Sequence, residues 1–169
     1  MSPFQTVTKP MRFMSPATLT ALLSSLLCSC TVSPVGPEPA ASGPQLSFET
    51  AEPGDVAAQA RAFSARARAQ GRQPLIYVGA SWCEPCRYFH AAAERGELDG
   101  SLPRLALLEF DRDTDGPRLD AAGYASRMIP LFVVPGEDGR GTDARIEGSI
   151  HGPGSPNQIA PRLRAILAP

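Results

Sequence analysis

Two cysteines separated by two residues, Cys83 and Cys86, stand at the junction of two oppositely patterned segments, and this junction constrains the fold more than any other feature. Before it, Pro74 opens the run Leu75-Ile76-Tyr77-Val78-Gly79-Ala80, short, apolar and partly β-branched, the pattern of a central strand buried on both faces. After it, Glu84 to Arg95 reads as a helix carrying Tyr88, Phe89 and Ala91 to Ala93. A cysteine at a helix start meets unpaired N–H groups and the positive end of the helix dipole, so Cys83 is a better thiolate than a free cysteine. Cys86, one turn in, is close enough to bond Cys83 and shielded from direct attack. Pro85 fits the first helical turn, where its missing N–H costs nothing.

The remaining elements extend this α/β pattern. Asp55 to Gln70 places Val56, Ala60, Phe63 and Ala67 at helical spacing, with Gly71 as a stop. Leu105 to Phe110 and Leu131 to Val134 read as strands, with a further strand, Arg145 to Ile150, after a turn from Pro135 to Gly141. Asp115-Gly116-Pro117 looks like a helix entry, the helix ending near Gly123 or Tyr124. A C-terminal helix would lay Ile159, Leu163 and Ile166 on the core, and Pro161 argues that it begins only at Ala160.

The segment Trp82-Cys83-Glu84-Pro85-Cys86 resembles the Trp-Cys-Gly-Pro-Cys active site of thioredoxins, with Glu84 in place of the glycine. Tyr124 to Pro130 resembles the segment that brings the family's cis-proline beside that site, with Ile129-Pro130 as the matching dipeptide; an X-Pro bond is the kind that takes the cis form at modest cost. The resemblance implies a single thioredoxin-like domain over residues 45–169, a central mixed sheet flanked by helices. It also implies a redox-active disulfide, Cys83–Cys86, with Trp82 beside it and Ile129-Pro130 docking an extended substrate backbone. The activity implied is thiol–disulfide exchange, with Cys83 attacking and Cys86 resolving, and with no cofactor. Family members of this type tethered in the bacterial envelope often act as reductants, which makes reduction of exported proteins the expected direction.

Other readings of the pair stay open. Haem attachment needs His after the second cysteine, and Arg87 stands there. Cys83, Cys86 and His90 could form a copper or zinc set in a binding module without redox turnover, although His90 and His151 also read as surface or boundary histidines. The family's buried Asp and its Lys partner are both absent, with Tyr77 and Leu107 at the aligned positions. Either charge alone in a core would be costly, so their joint loss is self-consistent. Cys86 then needs water or another group, such as Glu84, to take its proton. Glu84 opposes and Arg87 favours a thiolate on Cys83, so both modulate the site together with Pro85.

The N-terminus gives an address. Lys9 and Arg12 precede an apolar stretch, Phe13 to Leu27, that falls short of the about 20 residues needed to span a bilayer and is interrupted by Pro16. Leu27, Ser29 and Cys30 resemble the lipobox of bacterial lipoproteins, which implies cleavage before Cys30 and its lipidation. Each buried acyl CH₂ then contributes about 0.8 kcal/mol of membrane anchoring. Residues 1–29 are thus read as signal and residues 30–44 as the lipidated cysteine with a Pro-rich tether, with either Met1 or Met11 as the start. The expected location is the cell envelope, with the domain facing the periplasm or the extracellular side as a monomer. Its expected partners are exported protein thiols and disulfides and a membrane electron donor or acceptor. A net charge of -1, with 16 basic and 17 acidic residues, gives no basic footprint for nucleic acid.

Overall fold

The central strands are apolar at almost every position because helices cover both sides of the sheet. The computed structural model describes residues 45–168, so the signal, Cys28, Cys30 and the tether all lie outside the described residues. In chain order the elements are β1 (Ser47–Thr50), α1 (Val56–Ala69), β2 (Gln73–Gly79), α2 (Glu84–Glu94), β3 (Leu105–Asp111), α3 (Arg112–Ala121), β4 (Leu131–Pro135), β5 (Gly141–Glu147) and α4 (Ser155–Leu167). They form one five-stranded mixed sheet ordered β1-β3-β2-β4-β5. β1 and β2 run parallel to β3, whereas β4 is antiparallel to both β2 and β5.

Side-chain alternation splits the core into two layers. Leu75, Tyr77, Leu107 and Phe132 face α2 and α4, where they meet Phe89, Ile159 and Leu163. Ile76, Val78, Leu108 and Val133 face the other way, onto Phe63 of α1 and Leu119 of α3. Among the described residues no helix is long and apolar enough to cross a membrane.

Four features depart from the sequence expectation. β1 has no counterpart there: it is a short edge strand, Ser-Phe-Glu-Thr, largely exposed and held by pairing Ser47 to Ala106 through Thr50 to Glu109. α3 begins at Arg112, ahead of the expected entry at Asp115, because Asp111 caps it by accepting from the N–H groups of Asp113 (2.8 Å) and Thr114 (3.1 Å). Pro117 therefore lies inside that helix. β5 begins directly after the turn, at Gly141, and ends at Glu147. α4 starts at Ser155 with Pro156 in its first turn, and exposed Pro161 is accommodated within it; a proline there removes one backbone donor. Ile159 and Leu163 are fully buried as expected, and Ile166 packs against the same layer.

Candidate active site

The apolar central strand β2 ends where Ala80 to Trp82 turn the chain into α2. The Cys83 N–H donates to the Ala80 carbonyl at 3.0 Å and closes that turn. Cys83 is the N-cap of α2: its backbone is extended and its Sγ accepts from the Cys86 N–H at 3.3 Å. The sulfur thus occupies the place of a capping oxygen, and the helix start that accommodates it is the feature that favours a thiolate after reduction. The two sulfurs are bonded at 2.06 Å, with Cα atoms 5.2 Å apart, and both cysteines are buried at 3% exposure. Pro85 occupies the first turn of the helix.

The pair separates two concavities. On the Cys83 side a groove of about 490 Å³ is lined by Trp82, Cys83, Glu84, Met128, Ile129 and His151. The Ile129–Pro130 peptide is cis, and the Pro130 carbonyl accepts from the Gly148 N–H at 2.8 Å. Trp82, Met128 and Ile150 are 61%, 58% and 53% exposed, unusual for large apolar side chains and concentrated at this end of the domain. The Trp82 indole donates to Asp113 at 2.8 Å. Glu84 hydrogen-bonds to His151 at 2.7 Å, so its carboxylate is engaged on the Cys83 side. The Arg87 guanidinium donates to the Ser81 carbonyl at 3.3 Å.

On the Cys86 side a larger cleft of about 720 Å³ is walled in part by Tyr77, Cys86, His90, Glu109, Asp111 and Arg118. Tyr77 and Leu107 are fully buried, so the aligned acidic and basic positions hold an aromatic and an aliphatic side chain in the core. Burial, reinforced by the nearby Glu109 charge, raises the Tyr77 phenol above the ordinary tyrosine range.

His90 Nε2 is 2.8 Å from Glu109 Oε1. The two residues come from different elements, His90 from α2 and Glu109 from β3, and the linear sequence carries no signal for their pairing. The His90 ring also stacks on Phe48 of β1, with centroids 4.0 Å apart. Among the described residues no group of three or more His, Cys, Asp or Glu is arranged to hold a metal ion. In the described residues the Cys83 and Cys86 sulfurs are bonded to each other, and the His90 imidazole faces Glu109. His151, by contrast, is a surface residue, its side chain 83% exposed.

A mixed sheet flanked by helices, a Cys-x-x-Cys disulfide at a helix start and a cis Ile129–Pro130 peptide whose Ile129 lines the Cys83 groove together make the fold and site thioredoxin-like. No family model matches the sequence, and no curated protein matches it. Similar solved structures include thioredoxin O1 from Arabidopsis thaliana in the oxidized state, 17% identical over 64% of this chain and 87% of that one, with a TM-score of 0.40. A mutant thioredoxin from Halobacterium salinarum NRC-1 is 14% identical over 77% of this chain and 97% of that one, with a TM-score of 0.41.

Proposed function

We propose that this chain is a thiol–disulfide oxidoreductase, tethered by a lipidated Cys30 to the bacterial envelope, that reduces disulfides in exported proteins. The observation that carries the chemistry is the Cys83 sulfur at the start of α2, in a groove whose other wall is Met128 and Ile129. The exposed Trp82 and Met128 side chains suit an unfolded or extended apolar segment, and the backbone at Ile129 supplies polar groups for strand-like docking.

In the reaction, the Cys83 thiolate attacks one sulfur of the substrate disulfide, and the other sulfur leaves as a thiolate that takes a proton from solvent. Cys86 then attacks Cys83, displaces the second substrate thiolate and closes Cys83–Cys86. Two electrons pass from the cysteine pair to the substrate. A membrane-bound donor would reduce the pair again. The reductive direction follows the resemblance to tethered family members, and the Pro-rich tether would give the domain reach.

Insulin reduction by the chain in the presence of a dithiol tests the activity. Turnover lost in Cys83→Ser, together with a mixed disulfide trapped in Cys86→Ser, is expected; turnover that survives Cys83→Ser would overturn the reading. The redox potential of the pair, titrated against glutathione, tests direction: a value near those of cytosolic reductants supports a reductase, and one near strong oxidants reverses it. Cys30→Ala should release the protein from membranes, and retention there would exclude the lipid anchor.

A further inference from the structure

The resolving cysteine needs somewhere to send its proton, and the aligned positions of the core supply no carboxylate for it. Glu84 does not fill the gap, because it is bound to His151 in the groove on the Cys83 side. The Cys86 cleft, however, holds a second histidine–carboxylate pair. His90 follows Cys86 by four residues on α2, so the two lie one turn apart on the same helix face, at a Cβ separation of about 6 Å. Both side chains wall the same cleft.

The His90 ring is held in one orientation from two directions. Phe48 of β1 stacks on it, and Glu109 of β3 engages Nε2 at 2.8 Å. Where the Glu109 carboxylate accepts this bond from a neutral ring, the ring hydrogen sits on Nε2 and the lone pair is on Nδ1. Behind the ring stands Tyr77, whose ring centroid lies 5.4 Å from that of His90. Its hydroxyl is buried without a protein hydrogen-bond partner, and Tyr77 contributes to the wall of the cleft.

We propose that His90, oriented by Glu109, is the group that takes the proton from Cys86 when the mixed disulfide is resolved. This rests on the oxidoreductase reading above and names the acid–base machinery of the same site. In the step, the Cys86 S–H proton passes to His90 Nδ1 and the Cys86 sulfur attacks Cys83. The Cys83–Cys86 bond forms as the bond from Cys83 to the substrate sulfur breaks, and the substrate leaves as a thiolate carrying the electron pair. That thiolate is protonated from solvent, and the imidazolium returns its proton to solvent. Glu109 is a positioning residue: it fixes the tautomer and stabilises the imidazolium, and it does not touch the sulfur. The titratable and charged groups facing this exchange are Arg87 on α2, Tyr77 on β2, Glu109 and Asp111 on β3, and Asp115 and Arg118 on α3.

The test uses the reduced chain carrying Cys28→Ser and Cys30→Ser, which leaves Cys83 and Cys86 as its thiols, and an aromatic disulfide, dithiobis(nitrobenzoate), in stopped flow. Attack by Cys83 and resolution by Cys86 each release one coloured thiolate, so the two steps are read separately. His90→Gln, which can still bond Glu109, should leave the first phase unchanged and slow the second about 10- to 100-fold near neutrality. Between about pH 6 and 9 its second phase should rise steadily and converge on wild type as Cys86 ionises unaided. Glu109→Gln should shift the second-phase profile in the same direction by less, which covers the case in which His90→Gln does not fold. Second phases of wild type and both variants that coincide across this range overturn the proposal and leave the oxidoreductase reading standing. A wild-type chain that shows no first phase overturns both.

Discussion

The indole of Trp82 donates to the carboxylate of Asp113 at 2.8 Å, which ties the residue ahead of the redox pair to the first turn of α3. Trp82 is otherwise largely exposed, so this bond is the main restraint on a ring that borders the Cys83 groove. Asp113→Ala should release it. The expected cost in stability is small, about 0.5–1 kcal/mol, because both partners are near water. The local effect should be larger: Trp82 is the only tryptophan, so its fluorescence anisotropy reports the ring directly and should fall in the variant. An unchanged anisotropy would mean that packing, and not Asp113, fixes the indole.

A second relationship joins Tyr77 and Gly79, two residues apart on the same face of β2. A Cβ built at Gly79 would stand 2.5 Å from the Tyr77 hydroxyl and 2.9 Å from its ring carbon. Gly79→Ala should therefore destabilise the domain by overpacking, by about 1–3 kcal/mol in urea denaturation. Tyr77→Phe removes an unpartnered buried hydroxyl, so it should be neutral or stabilising by about 1 kcal/mol. It also removes the closest atom in the clash, and Gly79→Ala should cost less in that background. Additive effects of the two changes would contradict this packing account.

The two layers of the core were legible in the sequence because both faces of the sheet are covered, which makes Leu75 to Val78 and Leu105 to Leu108 apolar without interruption. Cys83, Cys86 and the Ile129-Pro130 dipeptide could be read from short motifs, since their local sequence is their signal. β1 was harder to read, because its alternation amounts to Leu46 and Phe48 alone, too short a stretch to set a strand apart from the Pro-rich segment before it. The start of α3 is harder to see, because Asp115-Gly116-Pro117 mimics a helix entry while the true cap, Asp111, ends the preceding strand. The pairing of His90 with Glu109 was hidden for a different reason. It spans 19 residues and depends on the β2–β3 register that sets Tyr77 beside Glu109, which one-dimensional patterning does not encode. A histidine one turn after Cys86 was the one available cue.

Arg118 links α3 to the segment that follows β1. It donates to Asp115 through Nε at 3.0 Å and through a terminal nitrogen at 2.8 Å, and its other terminal nitrogen donates to the carbonyls of Glu52 (2.9 Å) and Gly54 (3.0 Å). Its guanidinium carbon also sits 5.2 Å from the centre of the Phe110 ring. A lysine can supply the charge but not this planar fork. Arg118→Lys should thus cost about 1–3 kcal/mol, and it should raise amide exchange in residues 51–54, the wall of the Cys86 cleft. Wild-type exchange in that segment would show that the loop is held by other contacts.

Alkaline stability should carry the signature of two buried tyrosines. Burial raises both phenols: Tyr77 with help from the Glu109 charge, and Tyr124, whose hydroxyl donates to the Gly139 carbonyl at 2.7 Å, with help from Asp138. A phenol whose pKa is higher in the folded state than in the unfolded chain keeps its proton longer when folded, so the folded state binds more protons in alkali. Its contribution is complete below the unfolded tyrosine pKa of about 10 and is lost as pH climbs above that value toward the folded one. Urea unfolding should accordingly weaken above about pH 10, by up to about 1.4 kcal/mol per pH unit for each tyrosine. Tyr77→Phe should flatten this slope while leaving neutral stability intact. Tyr124→Phe should flatten it too, but at a neutral-pH cost of about 1 kcal/mol for the lost bond to Gly139. If neither variant changes the alkaline slope, these phenols are not the groups that govern it.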